Sequence, residues 1–106
     1  MKFKEGVILN NEKVKASHDI MKAMYIVDSL SKNLFRKEIV VTSVLDGKHK
    51  PGSKHYVGEA FDIRVWIYTA EQLKDLLPSI QRSLGKDYDV INENHHIHIE
   101  YDPKQG

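Results

Sequence analysis

Two short segments hold most of the side chains in this sequence that can do chemistry. The first runs Ser53-Lys54-His55-Tyr56-Val57-Gly58-Glu59-Ala60-Phe61-Asp62. His55 and Asp62 are seven residues apart, which does not put them on one helical face. Gly58 can turn the chain between them, so that a loop histidine and a strand aspartate converge on one point. Asp62 stands between Phe61 and Ile63 on a strand expected to be largely buried. A buried carboxylate needs a partner, because desolvating an unpaired charge is costly. A metal ion is one such partner. An ion pair with Arg64, which shares the strand face of Asp62, is the other.

The second segment is Glu93-Asn94-His95-His96-Ile97-His98-Ile99-Glu100-Tyr101. In a strand, His96, His98 and Glu100 project to one side and Ile97, Ile99 and Tyr101 to the other. The apolar side pins the strand to a core; the polar side offers two imidazoles and a carboxylate. Either this is a metal or catalytic face, or it is a solvated polar one, and two histidines beside a third favour the first reading. The chain has six histidines and no cysteine, so a transition-metal site must combine His with Asp or Glu. That mixture suits zinc in a catalytic rather than a structural site. Three such ligands leave the fourth position of zinc open for water, whose pKa falls to about 7. A nearby carboxylate or imidazole takes the proton and passes it to a leaving amine. Glu93 is the nearest carboxylate before the histidine strand, and it reads equally well as an exposed loop acid.

These residues need elements to hold them. Residues 17–35 read as a helix with Ser17 as cap, Asp19 in its first turn, and Ile20, Met24, Val27, Leu30 or Ser31, and Leu34 facing inward. The β-branched stretch 38–45 reads as a buried strand, followed by a polar loop from Asp46 to Gly58. Residues 60–67 alternate: Phe61, Ile63 and Val65 share one face, and Asp62, Arg64 and Trp66 the other. Thr69 and Gln72 fit a capping box for a second helix with the stripe Leu73, Leu76, Leu77, Ile80 and Leu84, ended by Gly85. Pro78 is expected to kink or split it. Residues 88–91 and 96–101 read as an antiparallel pair joined through Asn92–His95. The first 16 residues are irregular or hold a short strand at Val7-Ile8-Leu9. The expected fold class is α+β, a small antiparallel sheet with two main helices.

A length of 106 residues points to one domain, 1–106, with 1–16 and 103–106 peripheral. Without cysteine there is no disulfide framework, thiolate zinc finger, iron–sulfur cluster or cysteine nucleophile. Sixteen Lys and Arg against fifteen Asp and Glu leave a formal charge of +1, too little to attract nucleic acid or an acidic membrane. No apolar run reaches membrane-spanning length and no secretory signal opens the chain, so synthesis in the cytoplasm is expected. His18 is expected to be exposed, Met21 and Met24 to fill the core, and Trp66 and Tyr68 to pack rather than line a groove.

Ser-x-His-x-x-Gly-x-Ala-x-Asp at Ser53 to Asp62, followed by His-x-His at His96-Ile97-His98, resembles the zinc D-alanyl-D-alanine carboxypeptidase family. Its relatives include bacteriophage endolysins of the L-alanyl-D-glutamate peptidase type, D-alanyl-D-alanine dipeptidases and the hedgehog signalling domain. Every fixed position of the first motif is present, and the resemblance covers residues 17–102. It implies a hedgehog/DD-peptidase-like fold, a Zn2+ cofactor, and cleavage of peptide bonds in peptidoglycan stem peptides, with small phage-type members closest in size; a monomer is expected. Such a lysin reaches the cell wall after release through a separate holin. Carried over residue by residue, His55, Asp62 and His98 bind zinc, with His96 the alternative third ligand. His96 otherwise flanks the metal, to steady a developing oxyanion or position water. Glu93 is the base, with His95 the alternative, and Ser53 supports the loop. There is one departure. Many members carry an arginine for a substrate carboxylate just after the first strand, and the stretch Ser43-Val44-Leu45-Asp46-Gly47-Lys48-His49 has none. Lys48 or His49 would stand in, a point charge in place of a bidentate fork. A strict preference for a C-terminal D-alanine is then less expected than an endopeptidase cut. His49 also reads as a solvated loop residue. The rival reading is a hedgehog-like zinc-binding module without turnover.

Overall fold

Ser17 opens the first helix, α1 (His18–Phe35), by accepting a hydrogen bond from the Ile20 backbone N–H at 3.1 Å, with Asp19 in the first turn. The structure is a computed structural model and describes residues 1–103. Residues 104–106 of the expected C-terminal periphery lie outside the described residues. Ile20, Met24, Val27 and Ser31 of α1 are buried as the spacing requires. Leu34, expected beside them, is 45% exposed. Phe35 takes the last inward place instead, edge-on to Tyr68 with ring centroids 6.0 Å apart. The second helix, α2 (Ala70–Leu84), starts with the expected reciprocal capping box between Thr69 and Gln72. Pro78 neither splits nor ends it. Pro78 and Lys74 are both exposed, so the carbonyl that Pro78 cannot satisfy belongs to a residue on the solvent side.

The strands are β1 (Lys2–Phe3), β2 (Val40–Ser43), β3 (Ala60–Arg64), β4 (Tyr88–Asn92) and β5 (His96–Tyr101), in sheet order β1-β2-β3-β5-β4. The fold is α+β. The sheet is mixed rather than antiparallel, because β1 joins β2 in parallel. The N-terminal strand therefore lies at Lys2–Phe3 and not at Val7–Leu9; Val7 and Leu9 pack against the core as irregular chain. Two strands are shorter than expected. β2 shifts register between Val41 and Ser43, and β3 gives way to a turn in which Tyr68 N–H bonds Val65 O at 2.9 Å.

The core fixes the register that matters for function. Phe61, Ile63, Ile97 and Ile99 are fully buried with Ile20, Met24, Val27, Leu76 and Ile80 of the two helices. Each such side chain is worth roughly 1.5–3 kcal/mol against exposure, and a one-residue slip would turn the apolar set outward. Alternation then sends Asp62 and His98, directly opposed in the central pair β3·β5, to the other face, with Arg64 opposite His96 and Ala60 opposite Glu100. Among the described residues, no helix is long and apolar enough to cross a membrane.

Candidate metal centre

His55 reaches the sheet from a single 3-10 turn, Lys54–Val57. Ser53 caps this turn, its Oγ accepting from His55 N–H at 3.2 Å. Gly58 closes it in the left-handed region, φ 73°, and donates its N–H to His55 O at 3.2 Å. The same glycine lets the turn press on the strap that leads into α1. Ser17 N–H bonds Gly58 O at 2.8 Å, and a Cβ at residue 58 would lie 2.1 Å from Lys15 O. That contact is the physical reason for glycine in the first motif.

The turn and the central strands bring three ligand atoms together. His55 Nε2 lies 3.1 Å from Asp62 Oδ1 and 3.2 Å from His98 Nδ1, and His98 Nδ1 lies 2.9 Å from Asp62 Oδ1. The three residues are 2%, 3% and 8% exposed. Both rings are held in the tautomer a metal needs. His55 Nδ1 faces Val44 O at 2.7 Å; a carbonyl only accepts, so Nδ1 donates and Nε2 keeps its lone pair for the centre. His98 Nε2 faces Glu100 Oε1 at 2.8 Å, which leaves His98 Nδ1 for the centre in the same way. Three lone-pair atoms this close, in a buried place, repel one another unless a cation sits among them. In the metal-free chain that cation is a proton. Burial works against a charged His98, but hydrogen bonds to Asp62 and Glu100 outweigh it and push its pKa up to about 9. Burial likewise opposes ionisation of Asp62, and its contacts with His55 and His98 outweigh it, holding its carboxyl well below the usual carboxylate range. A metal fits the same place. Ligands about 2.0–2.1 Å from a tetrahedral zinc stand about 3.3 Å from each other, close to the spacings here.

No family model, curated protein or solved structure matches the chain. The ion pair of Asp62 with Arg64 is not formed: the Arg64 guanidinium lies 4.8 Å from the ring centroid of Trp66. His98, not His96, joins the buried triad. His96 stands at its rim, Nε2 2.9 Å from Glu93 Oε1 and 3.5 Å from Asp62 Oδ2. Glu93 sits in the β4–β5 hairpin, shaped by Asn94 in the left-handed region at φ 72°, a conformation asparagine tolerates. His95 is exposed at the hairpin tip and belongs to none of the three groups of converging ligand atoms among the described residues. His49 is not a solvated loop residue. Its ring stacks on His55 at 3.8 Å and 10°, and its Nε2 lies 2.8 Å from Asp46 O. Ser53 holds the turn and lines the cleft beside it; Lys48 is exposed. Tyr68 packs, bonded to Ser31 Oγ at 2.6 Å, whereas Trp66 is 76% exposed, against the expectation that it packs.

Two clefts of about 590 Å³ each meet along Asp62, His96, His49 and Lys48. One runs past Arg64 and Trp66, the other past His55, Glu93 and His98. Two supports of the centre go beyond the sequence reading. Alternation puts Glu100 on the ligand face two residues from His98, but not its bond to His98 Nε2. The Val44 carbonyl carries no side-chain signal at all.

Proposed function

We propose that the chain is a zinc-dependent peptidase that cleaves peptide bonds in peptidoglycan stem peptides, with His55, Asp62 and His98 as zinc ligands. The observation that carries this reading is the convergence of His55 Nε2, Asp62 Oδ1 and His98 Nδ1 within 3.2 Å, beside the Glu93–His96 pair. When bound, zinc supplies a Lewis acid that polarises a carbonyl and acidifies water. The chain's own groups do the rest. Val44 O and Glu100 hold the two ligand rings in register. Glu93 accepts the proton of the attacking water and delivers it to the departing amine nitrogen, and its contact with His96 keeps it at the rim. His96 supports negative charge developing on the carbonyl oxygen. Lys48, Arg64 and Lys54 line the two clefts and suit a substrate rich in carboxylates. Clefts on both sides of the triad suit an extended peptide cut within its length, so an endopeptidase is favoured over a carboxypeptidase.

Metal analysis of the purified protein, with mass spectrometry of digested peptidoglycan, tests this. About one tightly held zinc per chain and new amino termini in stem peptides are expected, both lost in Asp62→Ala. Hydrolysis by metal-free protein would end the reading. A second reading, a zinc-binding module without turnover, is favoured by the loop Val44–His49, which offers Lys48 but no arginine to a substrate carboxylate. It predicts bound zinc and no cleavage of any wall fragment.

A further inference from the structure

Asp62 has two carboxylate oxygens, and the buried triad uses one. Oδ1 meets His55 and His98. Oδ2 faces outward to His96 Nε2 at 3.5 Å, too far for a good hydrogen bond. His96 Nε2 in turn lies 2.9 Å from Glu93 Oε1. One ligand atom each of Asp62, Glu93 and His96 thus falls within 4.8 Å of the others, as in the His55–Asp62–His98 group. The two groups have only Asp62 in common. We propose that Asp62, Glu93 and His96 form a second, weaker divalent-cation site, joined to the first through the Asp62 carboxylate, whose filling switches the centre off.

The chemistry of the donors supports a cation here. One imidazole and two carboxylates suit zinc and harder divalent ions alike. Asp62 is 3% exposed, so its outward oxygen is fixed by the strand and aimed at the rim instead of lost among solvated conformers. A carboxylate with one oxygen on each of two metals matches the spacing of about 3.5–4 Å found in two-metal centres. The order of filling also follows from the structure. The first site is buried and both its rings are oriented by acceptors. At the second, the His96 and Glu93 side chains are 36% and 45% exposed, and among the described residues no carbonyl or carboxylate orients the other nitrogen of His96. The second site therefore binds more weakly.

The functional consequence rests on the peptidase reading; the binding does not. A cation on Glu93 occupies the lone pairs that would accept a proton from water, so activity rises with the first equivalent of zinc and falls with the second.

The test is a calorimetric titration of chelator-stripped protein with zinc alone, with metal analysis after gel filtration and circular dichroism to confirm folding. Wild type should show two classes of site differing at least about tenfold in affinity. His96→Asn and Glu93→Gln should each keep the tight class and lose the weak one. One equivalent in wild type would overturn the proposal, as would a weak class that survives both substitutions. Two classes with no hydrolysis of stem peptides would leave the second site standing and sink the peptidase reading instead. If His98→Asn kept the tight class, the ligand set of that reading would fall, while the fate of the weak class in His96→Asn would still decide this proposal.

Discussion

Replacing Gly58 with alanine tests whether one backbone contact supports the candidate metal centre. The added methyl would sit 2.1 Å from Lys15 O, 2.9 Å from Lys15 C and 3.1 Å from Ala16 Cα. The first distance is more than ~1 Å short of an ordinary contact. All three neighbours are backbone, so no rotamer change relieves them. Three costs combine. A non-glycine residue at φ 73° costs about 1 kcal/mol. Forcing the strap away from the turn costs ~1–3 kcal/mol. Losing the 2.8 Å bond from Ser17 N–H to Gly58 O costs ~0.5–1.5 kcal/mol. Together they reach about 2.5–5.5 kcal/mol, a large part of the ~5–15 kcal/mol that holds a domain of this size. At ~4–8 °C per kcal/mol, Tm should fall by at least about 10 °C. Gly52→Ala is the matched control: φ is 80°, but nothing lies within 4 Å of its Cβ, so only the conformational cost of about 1 kcal/mol applies. Urea and thermal unfolding by circular dichroism measure both. If the two variants lost the same stability, the contact with Lys15 would contribute nothing and the reasoning would be wrong.

Zinc at one hundred times its dissociation constant should add about 2.7 kcal/mol to folding, or ~10–20 °C in Tm; Asp62→Asn should abolish this chelator-sensitive shift in differential scanning fluorimetry. Asp28 reports on acid stability. Its burial works to raise its pKa, but Lys32 and the Ile39 backbone N–H outweigh this and hold it below 3.8. Its stabilisation is therefore full above the unfolded value and is lost as pH falls through the depressed one. The stability gap between wild type and Asp28→Asn should be constant near neutral pH and close below 3.8, as read from urea midpoints against pH. Thr69→Ala removes the capping hydrogen bond from Gln72 N–H and should cost about 1 kcal/mol in the same unfolding assay. An unchanged midpoint would show that packing alone sets the start of α2.

How far the sequence reveals the structure depends on whether a signal is local. Alternation in 60–64 and 96–101 is local and strong, and it placed Asp62, His96, His98 and Glu100 on one face and their apolar neighbours on the other. The N-caps and apolar stripes of both helices are local too. Leu34 misled because a helical face is only as long as the helix, and α1 ends one residue later. Pro78 misled because the damage a proline does depends on where the freed carbonyl points. The two-residue strand β1 has no pattern of its own; it exists because Lys2 N–H finds Ile39 O and Lys4 N–H finds Val41 O across the chain. The stacking of His49 on His55 and the exposure of Trp66 are likewise consequences of loop paths, which residue types do not encode.

The same distinction explains why the buried triad is legible and its rim is not. His55, Asp62 and His98 are held by a capped turn and by the pairing of two central strands, elements whose positions the apolar core dictates. A slip of either strand would expose Phe61, Ile63, Ile97 and Ile99 together, so the ligand spacing inherits the stability of the core. Asp62 and His98 then cannot relax apart to water when no metal is bound. They must share a proton, and the raised pKa of His98 follows from that confinement. Glu93, His95 and His96 belong to the hairpin end, where side chains are more exposed and the turn rests on Asn94 in the left-handed region and the Asn92 side chain. Which of them serves as base, ligand or neither depends on rotamers that burial does not fix. The triad thus belongs to the fold, whereas the rim is free to change partners, as the proposed base and the proposed second cation site both require.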